Sequence, residues 1–550
     1  MDLILLFAVA GGALYLARRI QVRLRLSRAK HPSLAGHARI SRRLAKQVPF
    51  YEYTDDEAFD LDGAASNVAA RRREAFDRLA GKLGAKSPIT VEQTAELESS
   101  ISDMQFTNAN RVPFQFRNRV RKAFRLGALA DKTEGVKIRN LDGNWSYDVG
   151  GSYGVNLLGY HFYKDCIDRA VERVRDLGPV LGPYHPLIGE NVDMIRQVSG
   201  LDEVSFHMSG TEAVMQAVRL ARYHTKRSHL VMSTGAYHGW WDGVQPGVGH
   251  QRSLNDIYML KDMSEDTLHV LMTRNDIACV LINPLQALHP NSSPSSDAML
   301  INSKRNACFD KQAYADWLRQ VREVCTARGI VLIFDEVFVG FRLGQGGAQE
   351  FFDVKADMVT YGKTIGGGLP IGVLAGRADL MKRYRDDRPA DVSFARGTFN
   401  SHPYVMATTN EFLKVAVTVE FAEQAAAAEA IWNARTAEMN RRLEDAGVPV
   451  RVRNMSSIWM FVYSQPGRYN WMLQYYLRAE GLSLSWVGTG RFIFSHNYTD
   501  EDFDAVADRV VAAALAMRED DWWTVPEDVT NASIQKQVFR EVIAKRFGRA

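Results

Sequence analysis

Residues 330–334 are five consecutive apolar residues that end in Asp335-Glu336, and this run constrains the chain more than any other. An apolar run with charge only at its carboxyl end reads as a strand buried on both faces, the kind found inside parallel sheets. Around it the pattern alternates. Residues 212–224 and 314–328 have helical period, while 229–233, 277–283 and 358–361 are short strand-like pieces. Alternation of this kind predicts an α/β fold on a mainly parallel sheet, with ligands gathered at the carboxyl ends of the strands. Beyond about residue 415 the chain turns Ala-rich and helical, then strand-like at 458–463 and 491–495, and then helical over 501–517. That predicts a second, smaller α+β unit. Upstream, 64–83 and 90–104 read as amphipathic helices separated by the breaker Lys86-Ser87-Pro88, and Asp142-Gly143 is placed for a hairpin turn.

Composition narrows the function. Of 550 residues, 46% are apolar, enough for a large core and more than one domain. The net charge of +4 argues against a general nucleic-acid binder, which needs a strongly basic domain. Cys166, Cys279, Cys308 and Cys325 show neither CxxC spacing nor a nearby His cluster, so neither a metal site nor a disulfide framework is expected. Reduced cysteines suit a cytoplasmic enzyme.

The chemistry concentrates between residues 330 and 372. A carboxylate at a strand end facing a cleft can hold a protonated ring nitrogen, although Asp-Glu after an apolar strand also occurs in metal and nucleotide sites. Lys363 lies 28 residues beyond Asp335 and precedes Thr364, Ile365 and three glycines. A lysine in a dry cleft has a lowered pKa and becomes a nucleophilic amine, and the glycines let backbone approach a planar ligand. Upstream, Ser209-Gly210-Thr211-Glu212 opens a helix. It can serve as a capping box or as a phosphate site, because a helix start offers free N–H groups and a positive dipole.

Together these motifs resemble the class III (subgroup II) pyridoxal-phosphate aminotransferases, and in particular their glutamate-1-semialdehyde aminomutase branch. The resemblance spans about residues 136–517. It implies a fold-type I transferase with a large domain, a smaller α+β domain and, here, an N-terminal helical extension. It also implies that Lys363 forms the Schiff base with pyridoxal 5'-phosphate and carries the proton, and that Asp335 holds the ring nitrogen. Ser209, Gly210 and Thr211 would take the phosphate; Tyr237, beside His238, would stack on the ring, with Val337 on the opposite face. Thr398, within Gly397-Thr398-Phe399, would reach the phosphate of a neighbouring subunit in a homodimer. The corresponding domain limits are 131–200 and 415–520 for the smaller domain, 201–414 for the large one, and 521–550 for a tail. Residues 31–130 would be the helical extension.

The sequence departs from that family in three places. Asn283-Pro284 stands where these enzymes show Glu-Pro, so a neutral amide replaces an acid near the cofactor. The stretch 285–309 is longer than usual and is expected to form a loop over the entrance. Gln115 falls where the aminomutases carry an arginine for the substrate carboxylate, with Arg111 and Arg117 as substitutes nearby and Arg342 expected in a structural ion pair. The N-terminus adds a further feature: residues 3–17 are uncharged, and ten Lys or Arg follow between Arg18 and Lys46. That order suits a membrane anchor (residues 1–30) with its basic side cytoplasmic. The expectation is therefore an aminotransferase moving an amino group from an amino acid donor to an aldehyde or ketone acceptor, with the anchor and the missing arginine pointing to an amphipathic or lipid-derived one. An aminomutase and a non-catalytic membrane adaptor that retains the fold are the alternatives.

Overall fold

Seven strands form the central sheet: β1 (Glu203–His207), β2 (His229–Ser233), β3 (Ile257–Leu260), β4 (Ile277–Ile282), β5 (Val331–Asp335), β6 (Met358–Gly362) and β7 (Gly372–Gly376). The computed structural model describes residues 2–31, 36–245, 252, 255–291, 307–485 and 491–548, with backbone alone for residues 2–6. The spatial order is β1-β7-β6-β5-β4-β2-β3. Every pairing from β6 through β3 is parallel, whereas β7 runs antiparallel to both β6 and β1. The sheet is thus mainly parallel, as the alternation predicts.

Both faces of the sheet are covered. Helix Gly210–Thr225 presses Val214, Ala217, Val218 and Ala221 onto one face, and helix Lys311–Arg328 sets Trp317, Leu318 and Val321 on the other. All positions of β4 and β5 are buried. Burial is worth about 1.5–3 kcal/mol for each large apolar side chain, so a central strand admits a charge only at its end, where a cleft can receive it. Asp335 is that residue.

A second layer joins distant parts of the chain. Trp145–Asp148 pairs antiparallel with Lys137–Arg139 across the predicted turn, and parallel with Leu482–Ser483. Val450–Met455, Ile458–Tyr463 and Arg491–Ile493 form a separate antiparallel sheet, backed by helices Val419–Asp445 and Asp500–Glu519. The extension packs here. Phe124 lies 4.5 Å from Tyr475 and Phe116 lies 4.9 Å from Trp471, ring centre to ring centre. The helix expected over 90–104 is instead two, Pro88–Glu98 and Ser102–Ala109. Ser99 Oγ donates to the Glu96 carbonyl at 3.0 Å, a side-chain bond that competes with continuing the helix. The expected tail contains a helix, Asn531–Arg546, whose Glu541 pairs with buried Arg468 at 2.8 Å.

The N-terminal helix, Asp2–Ala29, leaves Phe7, Leu14, Tyr15 and Leu16 exposed and docks only its far end, where Ala29 is buried and Lys30 bridges to Leu260. Among the described residues no helix is long and apolar enough to cross a membrane. The first side chains of the expected anchor, at residues 3–6, lie outside the described ones, as do residues 292–306 of the expected entrance loop.

Candidate active site

The carboxyl ends of β5 and β6 place Asp335 and Lys363 at one cleft. Asp335 is 4% exposed and is held by three donors. His238 Nδ1 donates to Oδ2 at 2.7 Å; Thr360 Oγ1 and the Val337 N–H each donate to Oδ1 at 3.2 Å. His238 is itself buried, and its Nε2 has no partner among the described residues. Three donors on two oxygens fix the direction of a carboxylate that must present itself to a ligand.

Lys363 follows β6 with a backbone φ of +52°, a region that costs a residue bearing a Cβ about 1–3 kcal/mol. Burial lowers its pKa, opposed by the negative charge of Asp335. Its Nζ stands 5.6 Å from the centre of the Phe338 ring. Gly154 closes the cleft on that side. A Cβ there would fall 2.7 Å from Phe338 Cε2 and 3.6 Å from Lys363 Cδ, so only glycine lets the chain pass this close.

Helix Gly210–Thr225 starts at the same cleft. Ser209 Oγ accepts the Glu212 N–H at 3.2 Å, and Glu212 Oε2 accepts the Met208 N–H at 2.9 Å. The cap and the anion site are therefore compatible: the N–H groups of Gly210 and Thr211 still lack intrahelical acceptors. Val337 lies directly against Gly210, 2.5 Å from where a Cβ would be. This makes a flat floor leading from a helix start to a strand-end carboxylate. Such a cradle fits a planar ring with a phosphate at one end and a protonated nitrogen at the other, with Lys363 beside it.

The remaining expected residues are placed as follows. Tyr237 is 61% exposed, and burial of its hydroxyl together with the charge of Asp335 raises its pKa. Asn283 donates from Nδ2 to the Tyr237 carbonyl at 2.9 Å and accepts the Leu285 N–H at 3.1 Å, so it positions the Tyr237 segment with both polar ends. Thr398 lies apart from this group, on an exposed stretch with Phe394 and Phe399. Gln115 is buried in the extension and bonds Tyr51 Oη at 3.2 Å, and Arg117 turns to Asn110. The expected ion pair at Arg342 is not formed among the described residues. Its guanidinium instead binds Ser457 Oγ at 2.9 Å and the carbonyls of Phe494, Asn156 and Gly154, and its burial lowers its pKa to about 10. Neutral acceptors take its two terminal nitrogens without a second buried charge, while its Nε has no partner among the described residues. Sequence reasoning passed over Thr360 and Phe338. Thr360 could have been found, because a residue in parallel register with Asp335 on the neighbouring strand shares its face.

A family model described as aminotransferase class III matches residues 120–514. Similar curated proteins include the glutamate-1-semialdehyde 2,1-aminomutase of Methanococcus vannielii, 32% identical over 341 residues, which are 59% of this chain and 73% of that protein. That of Nitratidesulfovibrio vulgaris (strain DP4) is 31% identical over 392 residues, covering 68% and 89%. Among solved structures, a β-phenylalanine aminotransferase from Variovorax paradoxus matches with a TM-score of 0.63 at 22% identity, over 81% of this chain and 96% of that one. A glutamate-1-semialdehyde aminomutase from Pseudomonas aeruginosa PAO1 gives 0.63 at 17% identity, over 81% and 98%. At these identities the two structures establish the fold alone. The chain belongs to the class III aminotransferases, enzymes that use pyridoxal phosphate.

Proposed function

We propose that this enzyme moves an amino group from an amino acid donor to an aldehyde or ketone acceptor, with Lys363 and Asp335 as its catalytic residues. The observation that carries this is Lys363: a half-buried amine, held in a strained backbone conformation, at the same cleft as a carboxylate fixed by His238, Thr360 and Val337. When bound, pyridoxal phosphate supplies the electron sink that lets a proton leave the carbon bearing the amino group. Asp335 would face the ring nitrogen and favour its protonated state, and His238 holds the Asp335 carboxylate in place. Gly210 and Thr211 offer N–H groups to the phosphate. Val337 would support one ring face, and Tyr237, anchored through Asn283, would cover the other. Lys363, its pKa lowered by burial, would take the proton from the substrate carbon that bears the amino group and hold it at Nζ for return.

An acceptor with an apolar portion suits the exposed apolar side chains of the N-terminal helix, which give the enzyme a surface for lipid contact. The exposed Thr398, Phe394 and Phe399 belong to a homodimer interface at which Thr398 reaches the partner's phosphate site. The visible spectrum of the purified enzyme tests the reading. A cofactor band that collapses on addition of one amino acid, and is restored by a carbonyl compound, supports it; no band after pyridoxal phosphate is supplied overturns it. A 2,1-aminomutase is the second reading, favoured by the names of the similar curated proteins. Net consumption of a separate donor separates the two. The adaptor alternative has no support beside membership of an enzyme family and a retained Lys363-Asp335 cleft.

A further inference from the structure

A cavity of about 360 Å³ lies between the extension helices Pro88–Glu98, Ser102–Ala109 and Arg117–Ala123 and the side chain of Tyr475. Most of its wall precedes residue 120, outside the part of the chain that the family model matches. Three guanidinium groups, Arg111, Arg121 and Arg125, face one carboxylate, Glu98, while Phe124 and Tyr475 give it an apolar side.

Arg111 is the unusual member. Its side chain is enclosed, its Nε has no hydrogen-bond partner, and no carboxylate among the described residues forms an ion pair with it. Burial lowers its pKa, and Arg478 close by is pushed down to about 9 by burial and by the charge of Arg111. Arg111 and Arg478 are neighbouring, largely enclosed cations, and Glu98 is one carboxylate facing several guanidinium groups, so positive charge is in excess there and a chain gains little in stability by keeping it. Part of the cavity wall is pinned: the Ala128 N–H donates to Thr94 Oγ1 at 2.9 Å. An anion seated between Arg111 and the mouth arginines would relieve the charge, and an apolar body would cover Phe124 and Tyr475.

We propose that this cavity is a ligand site of its own for a small amphipathic anion, a carboxylate or phosphate carried on a short apolar body, with Arg111 as its principal contact. The inference does not rest on the amino-transfer reading. Tyr153 is close enough to act on the Arg111 guanidinium, and it immediately precedes the Gly154 that abuts Lys363, so the site lies near the catalytic cleft.

The test is calorimetric titration of the full-length enzyme with hexanoate and, separately, with hexyl phosphate. Pyridoxal phosphate is kept saturating so that its own phosphate pocket is blocked. Saturable binding of either probe is expected, weakened about tenfold or more in Arg111→Gln, since a charge-assisted bond is lost. The better of the two probes identifies carboxylate or phosphate as the recognised group. Binding of neither probe, or equal binding to wild type and Arg111→Gln, overturns the proposal. Arg111→Met provides a second arm. If Arg111 is kept for a ligand, the variant is at least as stable as wild type in probe-free buffer; a large loss of stability would make Arg111 a structural residue and also overturn the proposal. Absence of a cofactor band alone would refute the catalytic reading and leave this site standing.

Discussion

The cleft at Lys363 and the layer formed by the extension, the 468–476 segment and the terminal helix are both rich in buried polar groups, but they spend them differently. In the cleft, strain and unpartnered atoms are tolerated: Lys363 at positive φ, His238 Nε2 with no partner among the described residues, and helix-start N–H groups without intrahelical acceptors. In the extension layer, Arg468 is 4% exposed but is met by Glu541 and Tyr53, and Arg72 at 2% is met by the carbonyls of Phe59, Asp521 and Thr524. The first region is arranged for a ligand; the second, outside the cavity at Arg111, is arranged for cohesion. Substitutions should therefore cost function in one and stability in the other.

The largest effect expected is that of Lys363→Ala. Removing the proton carrier alone should lower the rate of the donor half-reaction by about 10²–10⁴-fold, while the melting temperature stays within a few degrees. Stopped-flow absorbance and thermal denaturation check the two halves of that statement. A variant that instead unfolds would show that the cleft, too, is part of the cohesive framework.

Arg468→Met is the mirror experiment. It strands Glu541 in a half-enclosed site and should cost about 3–5 kcal/mol in urea denaturation, with the cofactor band unchanged in folded protein. Loss of cofactor binding in step with stability would erase the distinction between the two regions.

Neighbouring carboxylates sharpen the contrast further. Asp335 faces the cleft, whereas Glu336 turns into the core, accepts the Ala348 N–H at 2.7 Å and is driven by burial from 4.5 to about 8. Because its folded pKa is raised, its contribution to stability is present below about pH 4.5 and is lost as pH rises towards 8. Glu336→Gln should remove that loss, so the two proteins separate by on the order of 5 kcal/mol in favour of the variant by pH 9. Denaturation midpoints measured from pH 5 to 9 that stay parallel would exclude a protonated Glu336.

What was legible in the sequence follows the same division. Asp335, Lys363 and the Ser209-Gly210-Thr211 helix start could be read because strand ends and helix starts impose local requirements on residue type. Strand β7 could not be read, since its antiparallel place between β1 and β6 depends on partners more than 150 residues from one another. Arg342 was misjudged for a related reason. Its acceptors are carbonyls of residues 154, 156 and 494, and no side-chain pattern announces a carbonyl. The extension is held by ring contacts such as Phe116–Trp471, which bring together residues 355 apart in the chain, and periodicity reveals a helix without revealing what it packs on.

The smallest effect expected probes how finely the cleft is made. Gly210 has an ordinary backbone conformation, so Ala is not strained there; the difficulty is Val337, whose Cγ1 and Cγ2 would lie 2.5 and 2.8 Å from the new Cβ. Overpacking of this kind costs about 1–3 kcal/mol and pushes Val337 into the space that the cofactor ring would occupy. Gly210→Ala should therefore weaken pyridoxal phosphate binding about tenfold, near 1.4 kcal/mol, and lower the unfolding free energy of the cofactor-free protein by about 1–3 kcal/mol. Gly189→Ala serves as the control. It lies inside helix Leu187–Ser199 with nothing within 4 Å of an added Cβ, and should stabilise by about 0.5–1 kcal/mol without touching the cofactor. The double variant Gly210→Ala/Val337→Ala then decides the cause. If the valine methyl groups transmit the clash, deleting them restores most of the lost affinity. If affinity stays low, the Gly210 backbone itself must approach the phosphate more closely than alanine allows.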